Sequence, residues 1–168
     1  MGNFVAGLAH PVSGADHILA MVAVGLWGAL AGGRALWAWP AAFVAMVVVG
    51  FTSAILGIQL PFVEPAIVSS IVVLGLLVAL AVKAPVWLGA VIVGLFALFH
   101  GHAHGTEATA AGMRLVTYAT GFSLATAALH ILGLGAGLTL VRSARESLLR
   151  TTGVVVALGG LALIATSA

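Results

Sequence analysis

The chain has 168 residues, of which 62% are hydrophobic and 6% charged, and it contains no cysteine. A soluble domain needs roughly 25% charged residues to solvate its surface, so six basic and four acidic side chains with a mean hydropathy of +1.26 exclude one and point to lipid as the surrounding medium. The missing cysteines exclude disulfides, thiolate metal ligands, iron-sulfur clusters and thiol catalysis, and the pI near 10.0 reflects a small charge imbalance rather than a basic patch, so no nucleic-acid partner is expected.

At about 20 apolar residues per helical crossing, the length admits at most about seven spans and no soluble domain. Charges, prolines and tryptophans divide the chain into six apolar segments with short connections. The first runs from about Phe4 to Ala31 and ends at Gly32, Gly33 and Arg34, with Trp37 and Trp39 forming an interfacial cluster. The second spans about Pro40 to Ile58. Pro61 and Pro65 stop it, and Pro65 is suited to open the third, which runs to Lys83. The fourth restarts at Pro85 and Val86 and continues to about His104 and Gly105. The fifth covers about Ala111 to Val141, and the sixth about Leu148 to the C-terminus. This is an all-α, polytopic membrane protein: one transmembrane domain over residues 1–168, a bundle of about six helices.

With the N-terminus outside, Arg34, Lys83, Arg142, Arg145 and Arg150 fall in loops on one side and Arg114 alone near the other. That bias places both termini in the periplasm. Met1-Gly2-Asn3 has no basic leader, so the chain is expected to be a mature or trimmed form. Many of the 22 glycines lie inside the segments. Gly28 with Gly32, and Gly133 with Gly137, have the small-xxx-small spacing that lets membrane helices approach closely. No convincing match between residues 1–84 and 85–168 supports an inverted repeat.

Six histidines and a few carboxylates are the groups available for chemistry. His10, Asp16 and His17 lie in the first segment; His100, His102, His104 and Glu107 at the outer end of the fourth; Glu64 opens the third and His130 lies in the fifth. Almost all belong to the outer half of the membrane, which suggests one site. At about 100° per residue, His100, His104 and Glu107 share a helix face while His102 points away. His10 and His17 are seven apart, with Asp16 adjacent; Pro11 is expected to push His10 out of helical geometry. Asp16 is a direct ligand or acts behind one, fixing an imidazole tautomer. Polar groups inside a span cost about 2.5–3.5 kcal/mol each on insertion scales and so need partners. Imidazole and carboxylate without thiolate suit a borderline divalent ion such as Ni, Co, Zn or Cu(II). Taken singly, His102 and His130 are more simply bonded to a neighbouring helix, and Glu64 is favourable at a helix N-terminus without any metal.

Two ordered motifs carry a family resemblance. His10-Pro11-Val12-Ser13-Gly14-Ala15-Asp16-His17 resembles the HPxxGxDH signature of the HupE/UreJ nickel permeases. Phe99-His100-Gly101-His102-Ala103-His104-Gly105-Thr106-Glu107 resembles their second signature, FHGxAHGxE, with His102 at its variable position. The resemblance covers essentially the whole chain. It implies a protein of the bacterial inner membrane that brings Ni2+ into the cell for hydrogenase or urease assembly, with cytoplasmic nickel-handling partners and an open oligomeric state. Its motif residues fall on His10, Asp16, His17, His100, His104 and Glu107; Glu64 and His130 lie outside both signatures and are second-tier ligands or relay groups. Family members usually begin with a cleaved signal peptide, which fits the expectation that this sequence is a mature or trimmed form.

The expected activity is transport rather than catalysis, with no prosthetic group and the divalent ion as cargo. No GxxxxGK[ST] pattern supports ATP hydrolysis, so uptake is expected to be facilitated. Two rival readings are a b-type cytochrome with axial histidines and an intramembrane zinc hydrolase. The second needs a glutamate within HExxH, and Gly101, His102 and Ala103 fill that interval. Transport of another divalent cation, Co2+, Zn2+ or Cu2+, is the nearer alternative.

Overall fold

In a computed structural model, residues 2–167 are described and form seven helices without a strand among them. These are α1 (Gly2–Ser13), α2 (Ala15–Ala31), α3 (Ala35–Ile55), α4 (Val63–Ala79), α5 (Val86–Ala110), α6 (Leu115–Arg142) and α7 (Glu146–Ser167). In hydrocarbon every backbone amide must be paired within its own segment, which is why runs this apolar become helices.

All six apolar segments are helical, but they do not give six simple crossings. Four helices, α3, α5, α6 and α7, are long and apolar enough to cross a membrane, and α1 with α2 makes a fifth candidate bent by 77°. At 17 residues, α4 is about 26 Å long at 1.5 Å per residue, short of a hydrocarbon core of about 30 Å. The break in the first segment also differs from expectation. Helix α1 continues through Pro11 with His10 inside it, and the chain turns three residues later, where Gly14 adopts an extended backbone (φ −103°, ψ 127°). The helix restarts at once, with the Ile18 amide donating to the Gly14 carbonyl at 3.1 Å.

Two further expectations are corrected. Helix α3 begins at Ala35 and carries Pro40 within it, because the left-handed Gly32 and Gly33 (φ 69° and 53°) make the turn that ends α2. Gly32 is thus a helix terminator rather than half of a packing motif. Trp37 and Trp39, two positions apart, face opposite ways: Trp37 is 66% exposed and Trp39 fully buried. Trp39 packs on Trp27 with ring centroids 4.2 Å apart. Their indole N–H groups donate to the carbonyls of Val86 and Val82, as an N–H inside an apolar bundle must.

Those bonds, with the 2.8 Å bond from Arg150 Nε to the Ala79 carbonyl, gather the α2–α3, α4–α5 and α6–α7 turns at one end. Arg34, Lys83, Arg142, Arg145 and Arg150 all lie there, while His10, Asp16, Glu64 and Glu107 lie at the other. Two parallel helix pairs hold this arrangement. Along α3 and α5, a Cβ on Gly50 would overlap the Leu98 carbonyl and one on Gly101 the Val47 carbonyl; α2 and α6 meet likewise at Gly25 and Gly133. Such contact is the main source of helix association where lipid removes the hydrophobic drive. Helix α7 runs antiparallel to α4, with Gly75 against Ala157 and Gly153 against Ala79.

Gly101→Val should therefore lower thermal stability in detergent by at least the about 1–3 kcal/mol typical of overpacking. Gly135→Ala, with no atom within 4 Å of the added methyl, should stay within about 1 kcal/mol of wild type.

Candidate metal centre

The bend at Gly14 sets His10 of α1 beside His17 of α2, and α5 brings in His104. One ring nitrogen from each lies within 4.8 Å of the other two, a group able to hold a metal ion. His17 and His104 are buried and His10 is partly exposed. The His10 and His104 rings pack edge-on with centroids 4.5 Å apart, and the His17 and His104 rings are tilted with centroids 4.6 Å apart. Phe122 of α6 packs against the group, its ring centroid 4.3 Å from that of His104.

The hydrogen bonds fix the tautomers. Asp16 Oδ1 lies 2.9 Å from His17 Nδ1, and a carboxylate accepts, so Nδ1 of His17 carries the proton. His17 Nε2 is then an acceptor, and the 2.6 Å contact between the two Nε2 atoms makes His104 the donor. His104 Nδ1 is left as a buried lone pair without a partner. Glu107 stands one turn on, its Oε2 3.6 Å from both His104 Nδ1 and His10 Nε2. One carboxylate–imidazole pair, Asp16 with His17 on α2, thus faces His104 on α5, whose Nδ1 stands too far from Glu107 for a hydrogen bond, with His10 between. Asp16 touches His17 Nδ1, so of its two expected positions the geometry favours the one behind an imidazole.

The other candidates separate. His100, fully buried, is not in the three-histidine group; its ring lies 5.3 Å from that of His17. The Ser70 hydroxyl donates to the Ile67 carbonyl at 2.6 Å and so accepts from His100 Nε2 at 3.1 Å, leaving His100 Nδ1 unpartnered. His102 is outside the three-histidine group and donates to the Ile58 carbonyl at 2.7 Å, although it lines the same cavity. Glu64 lines the same cavity as His10, His17, His104 and Glu107, a space of about 500 Å3 open at this end of the bundle. His130 lies deeper on α6, fully buried, with neither ring nitrogen paired.

Sequence reasoning missed Ser70 and Phe122. Ser70 was visible as a hydroxyl inside an apolar run, but only the fold shows that it meets His100. Ser70→Ala should destabilise the protein by about 1–3 kcal/mol, the cost of a buried N–H without an acceptor; unchanged thermal stability would contradict the assigned bond.

The architecture and the cluster define a class: a polytopic helical membrane protein with a buried histidine group able to hold a metal ion. Within it the chain belongs to the HupE/UreJ family, whose model, described as HupE / UreJ protein, matches residues 1–163. It is 48% identical over 160 residues to Protein HupE of Rhizobium leguminosarum bv. viciae, covering 95% of this chain and 83% of that protein. No solved structure matches. The family is one of transporter and accessory proteins linked to metal uptake, and no catalytic family is indicated.

Proposed function

We propose that the chain is a permease of the bacterial inner membrane that carries Ni2+ inward for hydrogenase or urease maturation, taking the ion first at His10, His17 and His104. One observation carries this reading: three imidazoles from three helices, with two carboxylates, converge at the mouth of the open cavity. Five basic residues gathered at the opposite end support placing that end in the cytoplasm and both termini in the periplasm.

The geometry suggests how the ion enters. Two nitrogens bound to one cation at about 2.1 Å lie about 3.0 Å apart at a right angle and about 3.4 Å apart at the tetrahedral angle. At 2.6 Å, the Nε2 atoms of His17 and His104 must part slightly, and the cation replaces the hydrogen bond between them. His104 then moves its proton from Nε2 to Nδ1, where Glu107 accepts it as Asp16 already does for His17. Each ligand presents a lone pair and each remaining N–H faces a carboxylate, the arrangement that raises imidazole basicity toward a metal. Glu64 and His10 supply charge and a third nitrogen at the mouth; His100 takes the ion next, through its unpartnered Nδ1.

A divalent cation moving inward gains about 4.6 kcal/mol per 100 mV, twice the single-charge value, so the membrane potential and intracellular capture suffice to drive uptake. Imposing an inside-negative potential on proteoliposomes should raise the initial rate of Ni2+ uptake, and collapsing it should lower the rate.

The variant His104→Ala should abolish saturable Ni2+ uptake, and Asp16→Ala should weaken binding about 10–100-fold, as loss of a supporting carboxylate does. Competition by Co2+, Zn2+ and Cu2+ ranks the cations. Wild-type uptake by His104→Ala would refute the assignment.

Because protons compete for the same lone pairs, affinity should fall as the pH is lowered. Calorimetric titration from about pH 8 downward measures this, and an affinity that rises on acidification would contradict imidazole ligation.

A further inference from the structure

Below the outer group, the bundle interior holds polar atoms that its packing does not use. His130 is fully buried with both ring nitrogens unpartnered. A neutral imidazole carries one N–H and one lone pair, so this ring holds a donor and an acceptor idle in a medium that penalises both. Thr126, one turn toward the outer end on the same face of α6, is also fully buried, and its hydroxyl has no partner. Thr52, Thr106, Thr109, Thr120 and Thr139 bond the carbonyl one turn back in their own helices; Thr126 does not.

The position of these atoms relates them to the rest. The Phe43 ring of α3 touches both histidines, its centroid 5.8 Å from that of His100 and 4.9 Å from that of His130. His17, His100, Phe43 and His130 therefore follow one another ring to ring from the outer cavity inward. On its other side His130 lines a groove of about 420 Å3 between α3 and α6, shared with Pro40, Leu134 and Leu36. The groove opens on the bundle surface beside the exposed Trp37 and Ile131, and Leu36 and Pro40, in the first turns of α3, place it toward the end that carries the basic loops. An imidazole with free nitrogens thus stands between the outer ligands and the opposite end.

We propose that His130, flanked by the Thr126 hydroxyl, is a second, inward binding station for the transported divalent transition-metal cation, loaded from His100 past the Phe43 ring. This rests on the carrier reading above. An ion leaving imidazole ligands in an apolar bundle needs replacement donors before it reaches water, and His130 offers the same borderline-soft nitrogen as the ligands it leaves.

The test uses the full chain in proteoliposomes with Ni2+ and Cd2+ as probes, and Ni2+ titration of the same protein in detergent. His130→Leu should bind Ni2+ with an affinity within twofold of wild type, showing the outer group intact, yet take it up at least tenfold more slowly. His130→Cys should restore uptake and shift preference toward Cd2+ by at least tenfold, because a thiolate is a softer donor; a residue that only packs against Phe43 would cause no such shift. If His130→Leu fails to fold, His130→Cys decides alone. Wild-type uptake by His130→Leu, or a His130→Cys variant with unchanged cation preference, overturns the inward station while leaving the outer site in place. Absence of saturable uptake by the wild type overturns the carrier reading itself and this inference with it.

Discussion

The organisation of this protein depends on one constraint: an imidazole or carboxylate inside an apolar bundle is costly unless it is partnered. Asp16, His17 and His104 satisfy it as a chain, carboxylate to imidazole to imidazole, at 2.9 Å and then 2.6 Å. To make that chain, α2 must start with its first turn beside the last turns of α5. The extended Gly14 places it there and lets α1 swing across so that His10 joins. The rest of the packing serves this end. The Gly50 and Gly101 contact sets the height of α5 on α3, and the Trp27–Trp39 stack, tied to Val82 and Val86, closes the far end.

The molecule carries its charged residues at two ends, with a few buried polar groups between them. At one end an open cavity exposes carboxylates to incoming cations; at the other, five basic residues gather in or beside three turns. Between lie His100 and His130, each with nitrogen lone pairs that the fold leaves unused. An unpaired buried polar atom is costly in a structural element and is expected where a ligand completes the coordination. His100 is the graded case: Ser70 engages its Nε2 and fixes its tautomer, so one lone pair is presented and the ring cannot turn freely.

Much of this was legible in the sequence, and the reasons are physical. With 6% charged residues, the only stable answer was a helical bundle in lipid, and proline and glycine marked most helix ends because their backbone limits act locally. The i, i+4, i+7 relation put His104 and Glu107 on one face; His102, which it set aside, bonds the Ile58 carbonyl yet lines the same cavity. What failed were the features set by neighbours. The break fell at Gly14, whose backbone is extended, rather than near Pro11, which α1 carries within it. Trp39 proved to be core because Trp27 and the Val86 carbonyl await it. His100 shared a helix face with His104 yet sits apart from the three-histidine group, a separation in depth that angular position cannot reveal, and Ser70 became significant only through a helix 30 residues away in sequence.

The central claim is that His10, His17 and His104 bind the cation, with Asp16 and Glu107 holding their protons in place. X-ray absorption at the nickel edge, on Ni2+-loaded protein in lipid nanodiscs, tests it most directly. The account predicts a shell with at least two imidazole rings at about 2.0–2.1 Å, reduced by one ring in His17→Ala and again in the double variant with His104→Ala. A shell of oxygen donors alone, or one unchanged by both substitutions, would contradict it.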